Sequence, residues 1–97
     1  DYFSNIMPIT VMDIKIRIIN KLVRWGKWGG AHTENIIKGL PSHLRGEKIT
    51  KNAIKELIKE GWILPILKTH ETHYSLNNKK AKEILQFYEK HKGTNSI

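Results

Sequence analysis

GEKITKNAIKELIKEG, residues 46–61, is the stretch whose reading decides the fold. On a helical wheel, at about 100° per residue, Ile49, Ala53, Ile54, Leu57 and Ile58 share one broad apolar arc, and Lys48, Lys51, Asn52, Lys55 and Lys59 gather opposite it. The spacing predicts a helix over 47–60, begun by Gly46 or a neighbour and ended at Gly61. One face of that helix needs a core and the other needs an anion. A phosphate backbone is the partner that a lysine stripe fits best.

On the N-terminal side, Thr33 is an N-cap candidate for a short helix from Glu34 to about Leu40, with Ile36, Ile37 and Leu40 inside. Pro41 ends it, because the residue before a proline is pushed away from helical angles. Residues 42–46 make the turn, with Leu44 tucked beneath. Further back, Thr10 and Asp13 form a capping pair ahead of two apolar series, Val11, Ile14, Ile18, Leu22, Trp25 and Met12, Ile16, Ile19, Val23. This first helix is apolar over more than half its circumference, with Asp13, Arg17, Asn20, Lys21 and Arg24 on the wet side. RWGKWGG, residues 24–30, stops it, and Trp25 and Trp28 are expected to close over the core edge. That loop lacks the Gly-Lys-Ser/Thr ending of a P-loop and the GxGxxG of a dinucleotide site, so it reads as a helix terminator.

On the C-terminal side, Trp62 to Leu67 reads as a strand that Pro65 confines to a sheet edge or a bulge. Residues 68–72 suit a hairpin turn, and Thr72 to Leu76 make the return strand. Asn77 or Asn78 caps a last helix to about His91, with Ala81, Ile84, Leu85 and Tyr88 inward and Phe87 beside them. Residues 1–9 read as a tail, a short strand or an expression remnant, 10–92 as one domain, and 93–97 as a disordered tail.

Composition narrows the function. Seventeen Lys and Arg against nine Asp and Glu give a net charge of +8. Between Lys15 and Lys59 there are eleven basic and three acidic residues, so the whole excess lies there. Such a footprint suits nucleic acid or an anionic surface. No cysteine is present, which excludes disulfides, thiolate catalysis and zinc fingers. No apolar run approaches the ~20 residues of a membrane span and no signal-peptide pattern opens the chain, so a cytoplasmic protein with no membrane partner is expected.

The order helix, short helix, turn, basic helix, Gly-aromatic-apolar hairpin and final helix resembles the winged helix-turn-helix family, especially its small archaeal single-domain members. The residues that carry the likeness are Ile36, Ile37 and Leu40, the run AIKELIKEGWI from Ala53 to Ile63, and the return segment HYSLN from His73 to Asn77. The resemblance covers roughly Val11 to His91. It implies an α+β, mostly helical fold with a three-helix core, a β-hairpin wing and an extra C-terminal helix. It also implies that Glu47 to Glu60 enters the major groove and that the hairpin tip, Lys68 to His73, approaches the adjacent backbone or minor groove. Two features depart from the family pattern: the reading helix has Lys but no Arg, and the tip pairs a single lysine, Lys68, with Glu71.

The candidate contacts are therefore Lys48, Lys51, Lys55 and Lys59 to phosphates and Asn52 to an adenine edge. Arg45, just ahead of the helix, is a phosphate clamp or a plain turn residue, and Lys38, Ser42 and Lys68 are secondary candidates. Against this stands a lysine face that is merely solvated. The pattern of Glu56 and Glu60, set toward one edge instead of alternating through the face, favours a ligand. The five histidines lack metal-ligand spacing, the carboxylates are single, and no Ser-His-Asp setting appears, so neither a metal, a cofactor nor an enzyme is expected.

The first expectation is a sequence-specific or general double-stranded DNA-binding protein acting as a transcriptional regulator. The alternatives are a protein-assembly module, with a homodimer through residues 10–25 and 78–91, and an RNA-binding protein in which Trp28 joins the lysines.

Overall fold

The computed structural model describes residues 8–93; the tails read over 1–9 and 93–97 lie, apart from Pro8, Ile9 and Gly93, outside the described residues. Helix α1 spans Val11–Arg24, and Thr10 and Asp13 cap it reciprocally, each side chain accepting the other's backbone N–H at 3.1 and 2.8 Å. Helix α2 spans Lys48–Lys59, strands β1 and β2 are Ile63–Leu67 and Thr72–Leu76, and helix α3 spans Ala81–His91. Asn77 caps a single 3-10 turn, Asn78–Lys80, that leads into α3. The described residues are thus α+β, with three α-helices and one antiparallel hairpin.

Both long helices stop on glycine for the same reason. Gly26 after α1 and Gly61 after α2 have φ of 63° and 77°, left-handed angles that strain any residue with a Cβ. In each, the glycine N–H and the next N–H turn back to the last free carbonyls, Gly61 to Ile58 at 3.0 Å and Trp62 to Leu57 at 3.0 Å. After Gly61 the chain leaves directly into β1.

The strands pair in the register Ile63–Leu76, Pro65–Tyr74 and Leu67–Thr72. The N–H and C=O of Tyr74 point away from β1 and pair with Glu34 at 2.8 and 3.0 Å. Pro65, opposite Tyr74, is therefore at a position where β1 gives no hydrogen bond to β2, on the outer edge where a missing N–H costs nothing. On the same side of β2 as Glu34, Leu76 bonds the backbone of Lys27 and Gly29 at 2.7 and 2.9 Å. The loop after α1 thus runs along β2 as a third, strand-like segment, in addition to ending the helix.

The core is built from Ile14, Ile18, Ile19 and Leu22 of α1, Ile36, Ala53, Ile54 and Leu57, Ile63 and Leu76 of the hairpin, and Ile84 of α3. Trp62 stands edge-on to Phe87, with ring centroids 5.3 Å apart. Three expected core positions lie outside it. Trp25 is 66% exposed, because it is the C-cap residue, where α1 turns away from the core. Ile58 and Leu85 are exposed at the margins of their arcs, and the packed face of α3 is shifted to the other side of Ile84, toward Phe87.

The largest correction concerns residues 34–40. In place of a helix there is one turn, closed by Gly39 N–H to Ile36 at 3.2 Å and Leu40 N–H to Ile37 at 3.1 Å, then a 3-10 turn, Ser42–Leu44. Glu34 is committed to β2, so Thr33 cannot cap a helix; its hydroxyl lies 3.2 Å from Nδ1 of His73. Asn35 caps instead, its Oδ1 accepting from the N–H of Ile37 and Lys38 at 3.1 and 3.3 Å. Between that cap and Pro41 too few residues remain to repay helix nucleation.

Candidate nucleic-acid interface

Helix α2 splits its residues cleanly. Thr50, Ala53, Ile54 and Leu57 are buried, and Lys48, Lys51, Asn52, Lys55 and Lys59 are all exposed on the opposite side. The burial of Thr50 is satisfied locally, its hydroxyl donating to the Leu44 carbonyl at 2.6 Å, which also holds the 3-10 turn against the helix.

The charge on this face is uncompensated. Among the described residues, lysine ion pairs form at Lys15, Lys38, Lys80 and Lys92, and none forms at Lys48, Lys51, Lys55 or Lys59. Lys51, Lys55 and Lys59 follow one another at i, i+4, a like-charge spacing that costs a free helix a few tenths of a kcal/mol per pair, of order 0.2–0.5. The two carboxylates that could neutralise the stripe face elsewhere. Glu56 and Glu60 meet the Lys15 ammonium of α1, at 2.7 and 3.2 Å. Burial alone would depress that ammonium, but its hydrogen bonds and charge interactions with the two carboxylates outweigh it and hold Lys15 above the ordinary lysine value.

The secondary candidates separate. Ser42 and Arg45 lie in the segment that leads directly into α2, and Ser42 is exposed. Arg45 is tied down: its Nε donates to the Leu40 carbonyl at 3.0 Å and its Nη2 to the Lys38 carbonyl at 3.1 Å. With Nη2 of Arg17 donating to the Gly39 carbonyl at 3.3 Å, two guanidiniums cover the end of the short turn at residues 36–39. Lys38 joins the hairpin turn instead of α2. Its Nζ is 3.7 Å from Glu71, which also accepts a hydrogen bond from Nδ2 of Asn35 and lies 3.6 Å from Nε2 of His73. The Asn35 bond, with the charges of Lys38 and His73, draws the Glu71 carboxyl below its usual range. Lys68 is exposed at the start of the turn, its N–H donating to the Glu71 carbonyl at 2.8 Å. Beside it Leu67 is 84% exposed.

Sequence reasoning missed Lys15, although a signal was there. On the wheel of α1 it lies between Leu22 and Ile19, inside the apolar arc, where an unpartnered ammonium could not stay. No group of three or more metal-ligating side chains occurs among the described residues. No helix among them is long and apolar enough to cross a membrane. The chain matches no protein-family model, no curated protein and no solved structure.

Proposed function

We propose that the protein binds double-stranded nucleic acid, DNA in the first place, through the outer face of α2, and that its three helices and hairpin are a winged helix in which a turn takes the place of the usual second helix. The observation that carries this reading is the set of four exposed, unpaired lysines on one side of α2, flanking Asn52. A row of ammonium groups supplies phosphate neutralisation, and a side-chain amide is the group that pairs with an adenine edge. Phosphate contact is thus the larger part of the binding energy, and Asn52 is the source of whatever base preference there is. Transcriptional regulation is the role that such a reading helix serves.

Selection from a random duplex library tests this. An enriched motif is the expected result, and a palindromic one would mean that two copies bind half-sites about one helical turn apart. Competition with duplex RNA and single strands separates the DNA reading from the RNA one. A second reading, assembly through α1 and α3, draws on the exposed Met12 and Leu85. It requires a dimer in sedimentation and duplex binding no stronger than that of an unrelated basic protein.

A further inference from the structure

Lys15 lies between Ile14 and Ile16 on the buried side of α1, its side chain 11% exposed, so it cannot reach a ligand on the outer face of α2. It bears on that face through the two glutamates. Glu56 and Glu60 are spaced i, i+4 on α2 and would repel each other; the ammonium between them, at 2.7 and 3.2 Å, removes the repulsion and fixes both against α1. Without it, Glu56 has two neighbours on its own helix within side-chain reach, Lys59 at i+3 and Asn52 at i−4. Both belong to the proposed contact face.

We propose that Lys15 is a positioning residue of the interface: by gathering Glu56 and Glu60 against α1, it keeps the Glu56 carboxylate off the lysine face and so sets the affinity of that face for phosphate without touching the ligand. Stability alone gives little reason for a lysine here. With side chains 52% and 45% exposed, Glu56 and Glu60 stay solvated without it, and an apolar residue at position 15 would extend the Ile14, Ile18, Ile19 and Leu22 surface. What an apolar residue cannot do is hold the carboxylates.

The inference rests on α2 being the binding face, and the test keeps the two apart. Binding to a short duplex of random sequence is measured across a range of salt concentrations for the native protein, Lys51→Ala, Lys15→Met, and Lys15→Met combined with Glu56→Gln and Glu60→Gln. Lys51→Ala should lower the log-log salt slope by about one unit. Lys15→Met should lower it by about one unit or more and weaken binding several-fold, and the two added glutamines should restore both. A folded Lys15→Met protein with native slope and affinity overturns the role of Lys15 while leaving that of α2 standing. If the native protein shows no salt-dependent duplex binding, or Lys51→Ala changes nothing, it is the binding face that fails. Should Lys15→Met not fold, the Glu56→Gln, Glu60→Gln protein with Lys15 intact decides: a slope within well under one unit of native is expected, and a rise of a unit or more would show that the glutamates act on the face even when Lys15 holds them.

Discussion

Thr50 shows how much one side chain can settle. It is fully buried, and its hydroxyl meets the Leu44 carbonyl at 2.6 Å, inside the junction between the 3-10 turn and α2. Thr50→Val keeps the shape and leaves that carbonyl with only the Glu47 N–H at 3.2 Å, so a loss of about 0.5–1.5 kcal/mol is expected in chemical denaturation. At the outer residues of the same helix the expected effects are on binding. Lys48→Ala, Lys51→Ala and Lys55→Ala should each lower the salt slope by about one unit with little change in stability. Asn52→Ala should narrow the affinity gap between the selected duplex and a random one, by about 1–3 kcal/mol if it makes a bidentate adenine contact. An equal loss on both duplexes would mean that Asn52 does not read bases.

At the scale of elements, the junctions determine where helices and strands meet. Gly61 ends α2 at φ 77° and aims the chain into β1, so Gly61→Ala should cost about 1–2 kcal/mol in denaturation midpoint analysis. The hairpin turn is held to the segment at residues 35–38 by Glu71, through Asn35 and Lys38. Because the Glu71 carboxyl titrates lower in the folded protein than in the unfolded chain, its contribution is complete above the unfolded carboxylate value. It is lost as the pH falls through the lower folded value. Glu71→Gln should therefore be less stable than native at neutral pH, with the difference shrinking in acid. Unfolding free energies measured as a function of pH check this, and a constant difference would count against the assignment.

For the whole molecule, binding and folding are linked. A ligand that meets only the folded state at about a hundred times its Kd adds about 2.7 kcal/mol, which for a domain of this size raises Tm on the order of 10–20 °C. Duplex DNA at low salt should produce such a rise, and added salt should erase it as the phosphate contacts are screened. A rise that survives high salt would point to an interface other than the lysine face. The same melts with duplex RNA rank the two nucleic acids.

Local chemistry by itself determined the parts of this protein whose causes are local. The Thr10 and Asp13 cap, the glycine stops at Gly26 and Gly61, the period of α2 and the Ile63–Leu67 and Thr72–Leu76 hairpin all follow from neighbours a few residues apart in the chain. The lysine stripe was legible for the same reason, since a helix face is a matter of spacing. What the sequence left undecided depended on partners distant along the chain. Residues 34–40 carry a helical pattern, yet Glu34 is claimed by Tyr74, and Arg17 and Arg45 take the carbonyls a longer helix would have used. The loop after α1 runs along the two-stranded sheet only because β2 offered it an open edge. Lys15 is separated from Glu56 and Glu60 by forty residues or more along the chain, and only the packing of α1 on α2 joins the lysine to the two carboxylates in the arrangement that leaves the lysine face bare.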